Sequence, residues 1–321
     1  MVRSPRLIEV DRQEPAAIRA ELSGELAASP AVISPKYFYD ALGSRLFAAI
    51  TELPEYYPTR TEAAIFARHV EAIAAGLPSG LTLVDLGAGN CEKAARLLVP
   101  FAVRTYVAVD ISAAFLRDSL ERLQQQHPDI DMLGVGTDFS HRLSLPGEIG
   151  DGPRLLFYPG SSIGNFTPAQ ALDFLRQLQR AAQGGSLLIG VDLLKPVEVL
   201  EAAYDDSLGV TAAFNRNLLR HINRLIGSDF ALADWRHLAL FNGAQSRIEM
   251  HLEAVRAVSV RWPGGERAFA AGERMHTENS YKWRPEDFAA LLGKAGFSAI
   301  QRWTDERGWF AVFLAQAGEG R

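Results

Sequence analysis

One stretch of this chain limits its fold more than any other, residues 83–93, which read Leu-Val-Asp-Leu-Gly-Ala-Gly-Asn-Cys-Glu-Lys. An apolar run leads into a turn with two glycines, and a helical pattern follows. A second apolar run ends at Asp110, about 20 residues beyond the glycines, the spacing by which a βαβ unit brings an acid to a ribose. Buried parallel strands have short continuous apolar runs of this kind. The pattern therefore predicts a doubly wound α/β sheet that holds an adenosine-type cofactor.

The glycine pattern is incomplete, and the missing glycine narrows the choice of cofactor. A dinucleotide fingerprint has a third glycine where helix and strand approach each other around a pyrophosphate. Glu92 takes that position here, and its carboxylate would compete with a phosphate for the positive end of the helix dipole. S-adenosylmethionine has a ribose but no phosphate, so it tolerates the acid. The loop favours a methyltransferase over a nicotinamide-dependent oxidoreductase, and an ordinary tight βα turn is the plainer alternative.

The composition is that of an ordinary globular protein, with 48% hydrophobic and 22% charged residues. A net charge of −5 argues against a dedicated nucleic-acid binder. The single cysteine, Cys91, excludes an internal disulfide and favours a reducing compartment. No apolar run approaches the ~20 residues of a membrane span. We therefore expect a cytoplasmic protein that binds neither membranes nor nucleic acid.

Strand and helix patterns alternate from about residue 61 to 195, which predicts a parallel sheet with ligands at the carboxyl ends of its strands. A helix is predicted over Pro168–Ala182, with Thr167 as its N-cap. The predicted strands are Leu81–Leu86, Thr105–Asp110, Ile130–Val135, Leu155–Tyr158 and Leu187–Asp192.

The flanking regions read differently from this core. Residues 1–60 look helical, and long helical patterns after residue 196 give way to an alternating strand at Arg247–Val255. Strands are also predicted near Ser298–Thr304 and Trp309–Ala315, and they fit either the core sheet or a second domain. The flanks thus predict a second domain of α+β type.

Four residues of the core are candidates for binding the cofactor. Lys93 is placed to reach the carboxylate of the methionine part, and a solvated lysine on an exposed helix turn is the alternative. Asp110 ends the second strand and offers its carboxylate to both ribose hydroxyls, although a helix N-cap fits the same place. Asp138 and Phe139 follow the third strand, where an acid accepts from the adenine amino group and a ring packs on the base. Loop polarity beside a core phenylalanine is the alternative for that pair.

The segment that leaves the fourth strand, Tyr158–Phe166, lies where a substrate meets the cofactor in a doubly wound sheet. Gly160 permits close approach of the backbone, and Asn165 offers both a donor and an acceptor. A Gly-Asn turn in the left-handed conformation explains the same residues equally well.

A third constellation lies at His276–Trp283. In an extended strand, Glu278 and Ser280 share a face and together match a planar group with an N–H and a ring nitrogen, such as an imidazole. The polar face of an edge strand is the alternative. His276 belongs to no zinc-binding pattern, so no metal is expected.

Short segments along nearly the whole chain carry one family pattern: residues 35–40, 43–47, 50–62, 86–89, 159–165, 203–206, 209–217, 247–250 and 277–280. Together they resemble the S-adenosylmethionine-dependent L-histidine Nα-methyltransferases of ergothioneine biosynthesis. The resemblance implies a Rossmann-like class I methyltransferase domain over 61–195 and a substrate domain formed by 1–60 and 196–321. It also implies an enzyme that transfers three methyl groups to the α-amine of L-histidine, giving trimethylhistidine (hercynine). We separately expect a monomer.

The resemblance further implies roles for single residues. The implied ligands of the substrate carboxylate are Asn165 and Tyr204. The residues implied to bind the imidazole are Tyr56, Met250, Glu278 and Ser280. Tyr39 and Gly160 are implied to lie near the reacting amine. The cofactor residues are Gly87, Lys93, Asp110, Asp138 and Phe139. Asn279 departs from the family pattern, and strand alternation should point it away from the imidazole.

Two further alternatives concern the reaction partner. A related enzyme would methylate another aromatic amino acid, such as a tryptophan derivative, but Glu278 and Met250 favour a smaller, polar ring. A non-catalytic S-adenosylmethionine-binding protein would have lost its substrate residues, and this chain retains them.

Overall fold

The computed structural model describes residues 3–10, 14–139 and 142–318. Contacts divide the chain into two compact units. The first unit comprises the described residues of Met1–Arg12, Pro58–Leu194 and Lys282–Arg321. The second comprises those of Gln13–Tyr57 and Lys195–Tyr281.

The described strands are β1 (Arg6–Glu9), β2 (Thr82–Leu86), β3 (Thr105–Asp110), β4 (Asp131–Gly136), β5 (Arg154–Tyr158), β6 (Ser186–Asp192), β7 (Trp235–Asn242), β8 (Arg247–Ala254), β9 (Val258–Trp262), β10 (Gly265–Phe269), β11 (Arg274–Tyr281), β12 (Phe297–Thr304) and β13 (Phe310–Ala317). The described α-helices are α1 (Pro15–Ala27), α2 (Ala41–Thr51), α3 (Tyr57–Ala74), α4 (Glu92–Leu98), α5 (Ala113–Gln126), α6 (Pro168–Ala181), α7 (Val197–Ala202), α8 (Val210–Ile226) and α9 (Pro285–Lys294).

The first unit is built on an eight-stranded sheet in the order β1-β4-β3-β2-β5-β6-β13-β12. Strands β1 to β6 pair in parallel, and β13 pairs antiparallel with β6 and with β12. The residues of β5 and β6 are all buried, which explains why these strands read as continuous apolar runs. The doubly wound α/β sheet predicted from the sequence is confirmed.

The predicted core elements agree closely with the structure. Strand β3 has the predicted bounds, and β2 and β5 begin one residue from the predicted start. Helix α6 opens with a capping box in which Thr167 and Gln170 satisfy each other's backbone N–H groups. The predicted N-cap is therefore confirmed.

The ends of the chain correct the predicted domain boundaries. Residues 282–318, expected with the substrate domain, belong to the first unit, because β13 pairs along β6 and its apolar side chains join the core of the sheet. Strand β1, within the N-terminal region expected to be helical, pairs in parallel with β4. The central segment of the first unit ends at Leu194.

The second unit has the α+β character that the flanks predicted. Its three-stranded antiparallel sheet has the order β11-β8-β7, and β9 and β10 form a separate hairpin. Helix α8 packs against α1, α2 and β7, with Phe214 and Leu218 on its buried face. Asp206 caps this helix by accepting the N–H groups of Val210 and Thr211 at 2.9 and 2.7 Å.

None of the helices in the described part of the chain combines the length and the hydropathy that crossing a membrane takes.

Candidate active site

The glycine turn after β2 is tied to the neighbouring strand. Gly87 and Gly89 have φ angles of +75° and +53°, a left-handed conformation that glycine adopts without strain. The N–H groups of Gly87 and Ala88 donate to the carbonyl of Val109 at 2.8 and 3.1 Å. The backbone of the turn is therefore fixed against the end of β3, where Asp110 lies.

Asp110 holds the turn with its side chain. Its Oδ2 accepts the N–H of Gly89 and its Oδ1 that of Ser112, both at 2.9 Å. Burial raises the pKa of Asp110 above its ordinary value, and these N–H groups partly offset that rise. A carboxylate oxygen accepts more than one hydrogen bond, so both oxygens keep capacity for ribose hydroxyls. Capping and ligand binding are thus compatible at this position.

Phe139 brings an aromatic face to the same turn. Its ring centroid lies 6.0 Å from that of Phe174 and 6.3 Å from that of Tyr158. A Cβ added at Gly87 would come to 4.0 Å from Cζ of Phe139. Asp138 precedes this ring and is half-buried, as Phe139 is. The predicted adenine pair therefore stands beside the glycine turn.

Glu62 on α3 connects two of the predicted residues, and sequence reasoning gave it no role. Its Oε2 pairs with Nζ of Lys93 at 2.7 Å, and its Oε1 accepts the N–H of Gly160 at 2.8 Å. The side chain is 2% exposed. A Cβ at Gly190 would collide with Oε1, so the glycine in β6 leaves the room that this carboxylate occupies. Glu62 is the last residue of segment 50–62, which carries the family pattern. Its place in that segment was the sequence signal that could have identified it.

The segment after β5 is pinned to β6. Ser161 has a φ of +60°, and its Oγ accepts the N–H of Asp192 at 2.8 Å. The carboxylate of Asp192 in turn pairs with Nζ of Lys282 at 2.7 Å, and both side chains are buried. Asn165 ends the short 3₁₀ turn that follows Ser161. The backbone around Gly160 and Asn165 is thus held in a fixed conformation.

In the second unit, aromatic rings form one connected cluster. Tyr39 contacts Phe47 at a centroid distance of 5.8 Å, Phe47 contacts Tyr56 at 6.2 Å, and Tyr56 contacts Tyr204 at 6.3 Å. Phe214 lies 5.9 Å from Tyr39 and 6.0 Å from Phe47. The structure therefore brings together three tyrosines that the resemblance singled out. Phe214 was missed, although it lies in the family-like segment 209–217.

The cluster continues into β11 through a pair of hydroxyls. Tyr204 Oη and Ser280 Oγ are 2.6 Å apart, and either can be the donor. Glu278 lies two residues before Ser280, hence on the same face of the strand, and it is paired in register with Met250 on β8. Asn279 is paired with Glu249, and its Oδ1 lies 3.0 Å from Nε2 of His276. Its orientation away from the imidazole, which strand alternation predicts, stays a prediction.

His237 fixes the backbone of Tyr204 and was missed by the sequence analysis. Nδ2 of Asn215 donates to Nδ1 of the histidine at 2.8 Å, so Nε2–H donates to the carbonyl of Tyr204 at 2.8 Å. This tautomer is assigned from the hydrogen-bond network. Burial lowers the pKa of His237, which keeps the ring neutral at pH 7.

The predicted site residues divide between the two units. The second unit holds Tyr39, Tyr56, Tyr204, Met250, Glu278 and Ser280. The first unit holds Gly87, Lys93, Asp110, Asp138, Phe139, Gly160 and Asn165. Within the described residues, no group of three or more histidine, cysteine or acidic side chains is placed to hold a metal ion.

Comparison with known proteins decides the family. The model of the S-adenosylmethionine-dependent, histidine-specific methyltransferases matches residues 18–317. The chain belongs to this family. One relative is histidine N-alpha-methyltransferase of Mycolicibacterium smegmatis. It is 44% identical over 307 residues, and the match covers 93% of this chain and 94% of the relative.

Two further relatives of this methyltransferase are informative. Histidine N-alpha-methyltransferase of Mycobacterium tuberculosis is 41% identical, and the match covers 93% of this chain and 94% of the relative. Ergothioneine biosynthesis protein 1 of Neurospora crassa is 31% identical, and the match covers 83% of this chain but 31% of that protein.

Membership in this methyltransferase family confirms the cofactor predicted from the loop, S-adenosylmethionine, and excludes the nicotinamide-dependent alternative. The first unit fits this cofactor. Asp110 retains acceptor capacity for a ribose, the turn at Gly87 and Gly89 carries no side chain that would block approach, and Phe139 offers a ring beside it. Glu92 opens α4 as an exposed acid, which a cofactor without phosphate tolerates.

Proposed function

We propose that this methyltransferase transfers methyl groups to the α-amino group of L-histidine, in three rounds that give trimethylhistidine for ergothioneine biosynthesis. One observation carries the choice of substrate. Glu278 and Ser280 share a face of β11, and Ser280 is hydrogen-bonded to Tyr204 within an aromatic cluster. Family membership and the relatives named above support the same substrate.

The first unit would hold the cofactor. Asp110 would bind the ribose, Asp138 and Phe139 the adenine, and Lys93 the carboxylate of the methionine part, with Glu62 fixing the position of Lys93. The backbone at Gly87 would lie against the cofactor because no side chain intervenes. S-adenosylmethionine would supply a methyl group on a sulfonium sulfur. The amine nitrogen would take the methyl, the sulfur would leave as a neutral thioether, and the proton that the nitrogen loses before each further round would pass to water or a tyrosine hydroxyl.

The second unit would hold the ring of histidine. The carboxylate of Glu278 would accept a hydrogen bond from the ring N–H. Ser280 would contact the ring through Oγ while its own proton goes to Tyr204 Oη, which leaves the proton of Tyr204 for the substrate carboxylate. Tyr56 and Met250 would pack against the ring. An amino acid without an N–H in this position lacks the hydrogen bond to this charged acceptor, a difference of about 1.5–3 kcal/mol. This is the basis on which the site would prefer histidine to other aromatic amino acids.

The remaining residues would position the other end of the substrate. Tyr204 would bind the carboxylate with its hydroxyl, and Asn165 keeps its proposed role as a further contact of that group. Tyr39 and Gly160 would lie near the amine, which must be neutral to attack. Positioning the nucleophile at about 3–3.5 Å from the methyl is the main task of such residues.

The α-nitrogen of the product is a quaternary ammonium cation that has no N–H. Aromatic faces bind such cations through cation–π attraction. Tyr39 and Phe47, which are in edge contact at 5.8 Å, would supply such faces. The expectation of a monomeric, cytoplasmic enzyme that binds no nucleic acid stays a prediction.

The function is tested by incubating the protein with S-adenosylmethionine and a panel of free amino acids that includes histidine, tryptophan and tyrosine. Liquid chromatography with mass spectrometry should show histidine gaining one, two and then three methyl groups. A gain on a tryptophan derivative in place of histidine would favour the alternative substrate. Absence of methylation on every amino acid would contradict the proposal.

A further inference from the structure

The first unit contains a groove of about 780 Å³ that none of the predicted site residues lines. Its walls are the last turns of α6 and the connection between β4 and β5. One acidic residue, Asp173, lines the groove. Four arginines line it as well: Arg142, Arg154, Arg176 and Arg180. Such a concentration of positive charge stands out in a chain whose net charge is −5.

The groove is separate from the glycine turn. Arg154 is the first residue of β5 and is paired in register with Thr82, the first residue of β2. The glycine turn follows Leu86, at the opposite end of the same strand. Five residues of strand span about 16 Å, so Arg154 and the glycine turn lie toward opposite ends of the sheet.

One wall of the groove is a single face of α6. Asp173, Arg176, Gln177 and Arg180 have the i, i+3, i+4, i+7 spacing that places side chains on one side of a helix. Oε1 of Gln177 accepts the N–H of Leu143 at 2.9 Å, which ties the facing wall to the helix.

Only part of this charge is neutralised by the protein. Asp173 pairs with Arg176 at 3.2 Å. In the part of the chain that the structure describes, no carboxylate lies within ion-pair distance of the guanidinium groups of Arg142, Arg154 or Arg180. Three guanidinium groups therefore line one groove without an anionic partner from the described residues.

Arg154 is the buried member of the set. Its side chain donates to the carbonyls of Ala181 and Gly150 at 3.3 and 2.6 Å, and the residue is 8% exposed. Its Nε is buried and has no hydrogen-bond partner among the described residues. Burial lowers the pKa of this guanidinium, and the charge of Asp151 only partly compensates. A bound anion would offset the cost of burying this cation.

We propose that the groove binds a phosphate-bearing small molecule. Guanidinium forks match the geometry of phosphate oxygens and bind them through charge-assisted hydrogen bonds. Arg154, Arg176 and Arg180 would hold the phosphate, and Leu143 and Leu145 would contact the apolar part of the molecule. The volume lies within the ~300–1,000 Å³ that small-molecule pockets occupy.

The test uses isothermal titration calorimetry on the full chain saturated with S-adenosylhomocysteine, so that the cofactor residues are already occupied. Phenyl phosphate and inorganic phosphate are the probes. Phenyl phosphate should bind more tightly, because its ring contacts the two leucines. Replacing the exposed pair Arg176→Gln and Arg180→Gln should weaken binding of phenyl phosphate at least about tenfold, or about 1.4 kcal/mol.

A matched control removes the same charge elsewhere in the unit. Arg68 and Arg302 are exposed and pair with Glu306 and Glu286. The double variant Arg68→Gln and Arg302→Gln should keep the affinity of the wild type within about twofold. Equal weakening by both double variants would mean general charge attraction and would overturn the proposal. So would an absence of phenyl phosphate binding to the wild type, or binding no tighter than that of inorganic phosphate.

Discussion

Buried acids of the two units differ: the pKa of Asp85 and Asp110 in the first unit shifts upward, and the pKa of Glu249 in the second unit shifts downward. In the first unit, burial raises the pKa of Asp85 to about 7 and also raises that of Asp110. In the second unit, burial by itself would also raise the pKa of Glu249. Hydrogen bonds from Asn242, Arg247 and His251 outweigh this effect and lower the pKa to about 2.

The difference lies in which groups supply the donors. Asp110 receives the backbone N–H groups of Gly89 and Ser112, and Asp85 receives the hydroxyl of Tyr106, at 2.8 Å. Glu249 receives charged and neutral side chains from β7 and β8. Backbone donors follow from the local path of the chain, whereas side-chain donors depend on which strands pair. The first arrangement is therefore readable from residue spacing, and the second requires the tertiary structure.

The largest expected effect concerns the face of β11 that carries Glu278. Replacing Glu278 by alanine removes the acceptor for the imidazole N–H, and kcat/KM for histidine should fall by about 100-fold. Asn279→Ala, on the opposite face, is the control and should stay within a few-fold of the wild type. Steady-state kinetics on both variants decide the matter. Wild-type efficiency in Glu278→Ala would show that the substrate face has been wrongly assigned.

The comparison of these acids predicts that the stabilities of two variants, Asp85→Asn and Glu249→Gln, depend on pH in opposite ways. The folded-state pKa of Asp85, about 7, lies above its ordinary value of 3.8, so this group costs stability as pH rises through that window. Asp85→Asn should therefore gain stability relative to the wild type between about pH 4 and 7.

The folded-state pKa of Glu249, about 2, lies below its ordinary value of 4.5. The stability that this group contributes is therefore present above pH 4.5 and lost as pH falls toward 2. Glu249→Gln should thus be less stable than the wild type at pH 7, by about 1–2 kcal/mol after allowance for solvent screening. Urea unfolding at several pH values measures both differences. Parallel pH profiles for the two variants would contradict the comparison.

A third expectation tests the carboxylate that connects α3 to the cofactor residues. Glu62→Gln removes the charge that fixes Lys93, so S-adenosylhomocysteine should bind about tenfold more weakly, a loss of about 1.4 kcal/mol. Glu306→Gln alters an exposed acid of the same unit, 82% exposed, and serves as the control. Calorimetric titration of both variants gives the affinities. Unchanged affinity in Glu62→Gln would show that Glu62 does not position Lys93 for cofactor binding.

The smallest expected effect concerns the tyrosine that bonds Ser280. Tyr204→Phe deletes one hydroxyl, and KM for histidine should rise about fivefold, the equivalent of one hydrogen bond of about 1 kcal/mol. Tyr281→Phe deletes a hydroxyl that bonds Arg247 at 2.6 Å instead, and it should leave KM unchanged. An equal rise in both variants would indicate a general effect on the sheet.

Much of the first unit was predictable because its signals are local. Strands β2 to β6 are buried on both faces and read as apolar runs, and the distance between the glycines and Asp110 follows from one βαβ unit. Strand β1 was missed because its four residues, Arg6–Glu9, begin and end with charged side chains. The partner of β13 was not readable either, since apolar residues do not specify which edge of a sheet they will join.

The site residues show the same limit. The family resemblance supplied Tyr39, Tyr204 and Glu278, which composition and spacing alone would not have selected. Glu62 and His237 were missed because their partners are distant in the sequence, 98 residues away for the bond between Glu62 and Gly160. Such contacts emerge only when the chain is folded.

The most direct test of the central claim is the position of the transferred methyl groups. Histidine incubated with the protein and ¹³C-methyl-labelled S-adenosylmethionine should give a product whose NMR spectrum places three equivalent methyl groups on the α-nitrogen. Methyl groups on an imidazole nitrogen, or an unchanged histidine spectrum, would contradict the account.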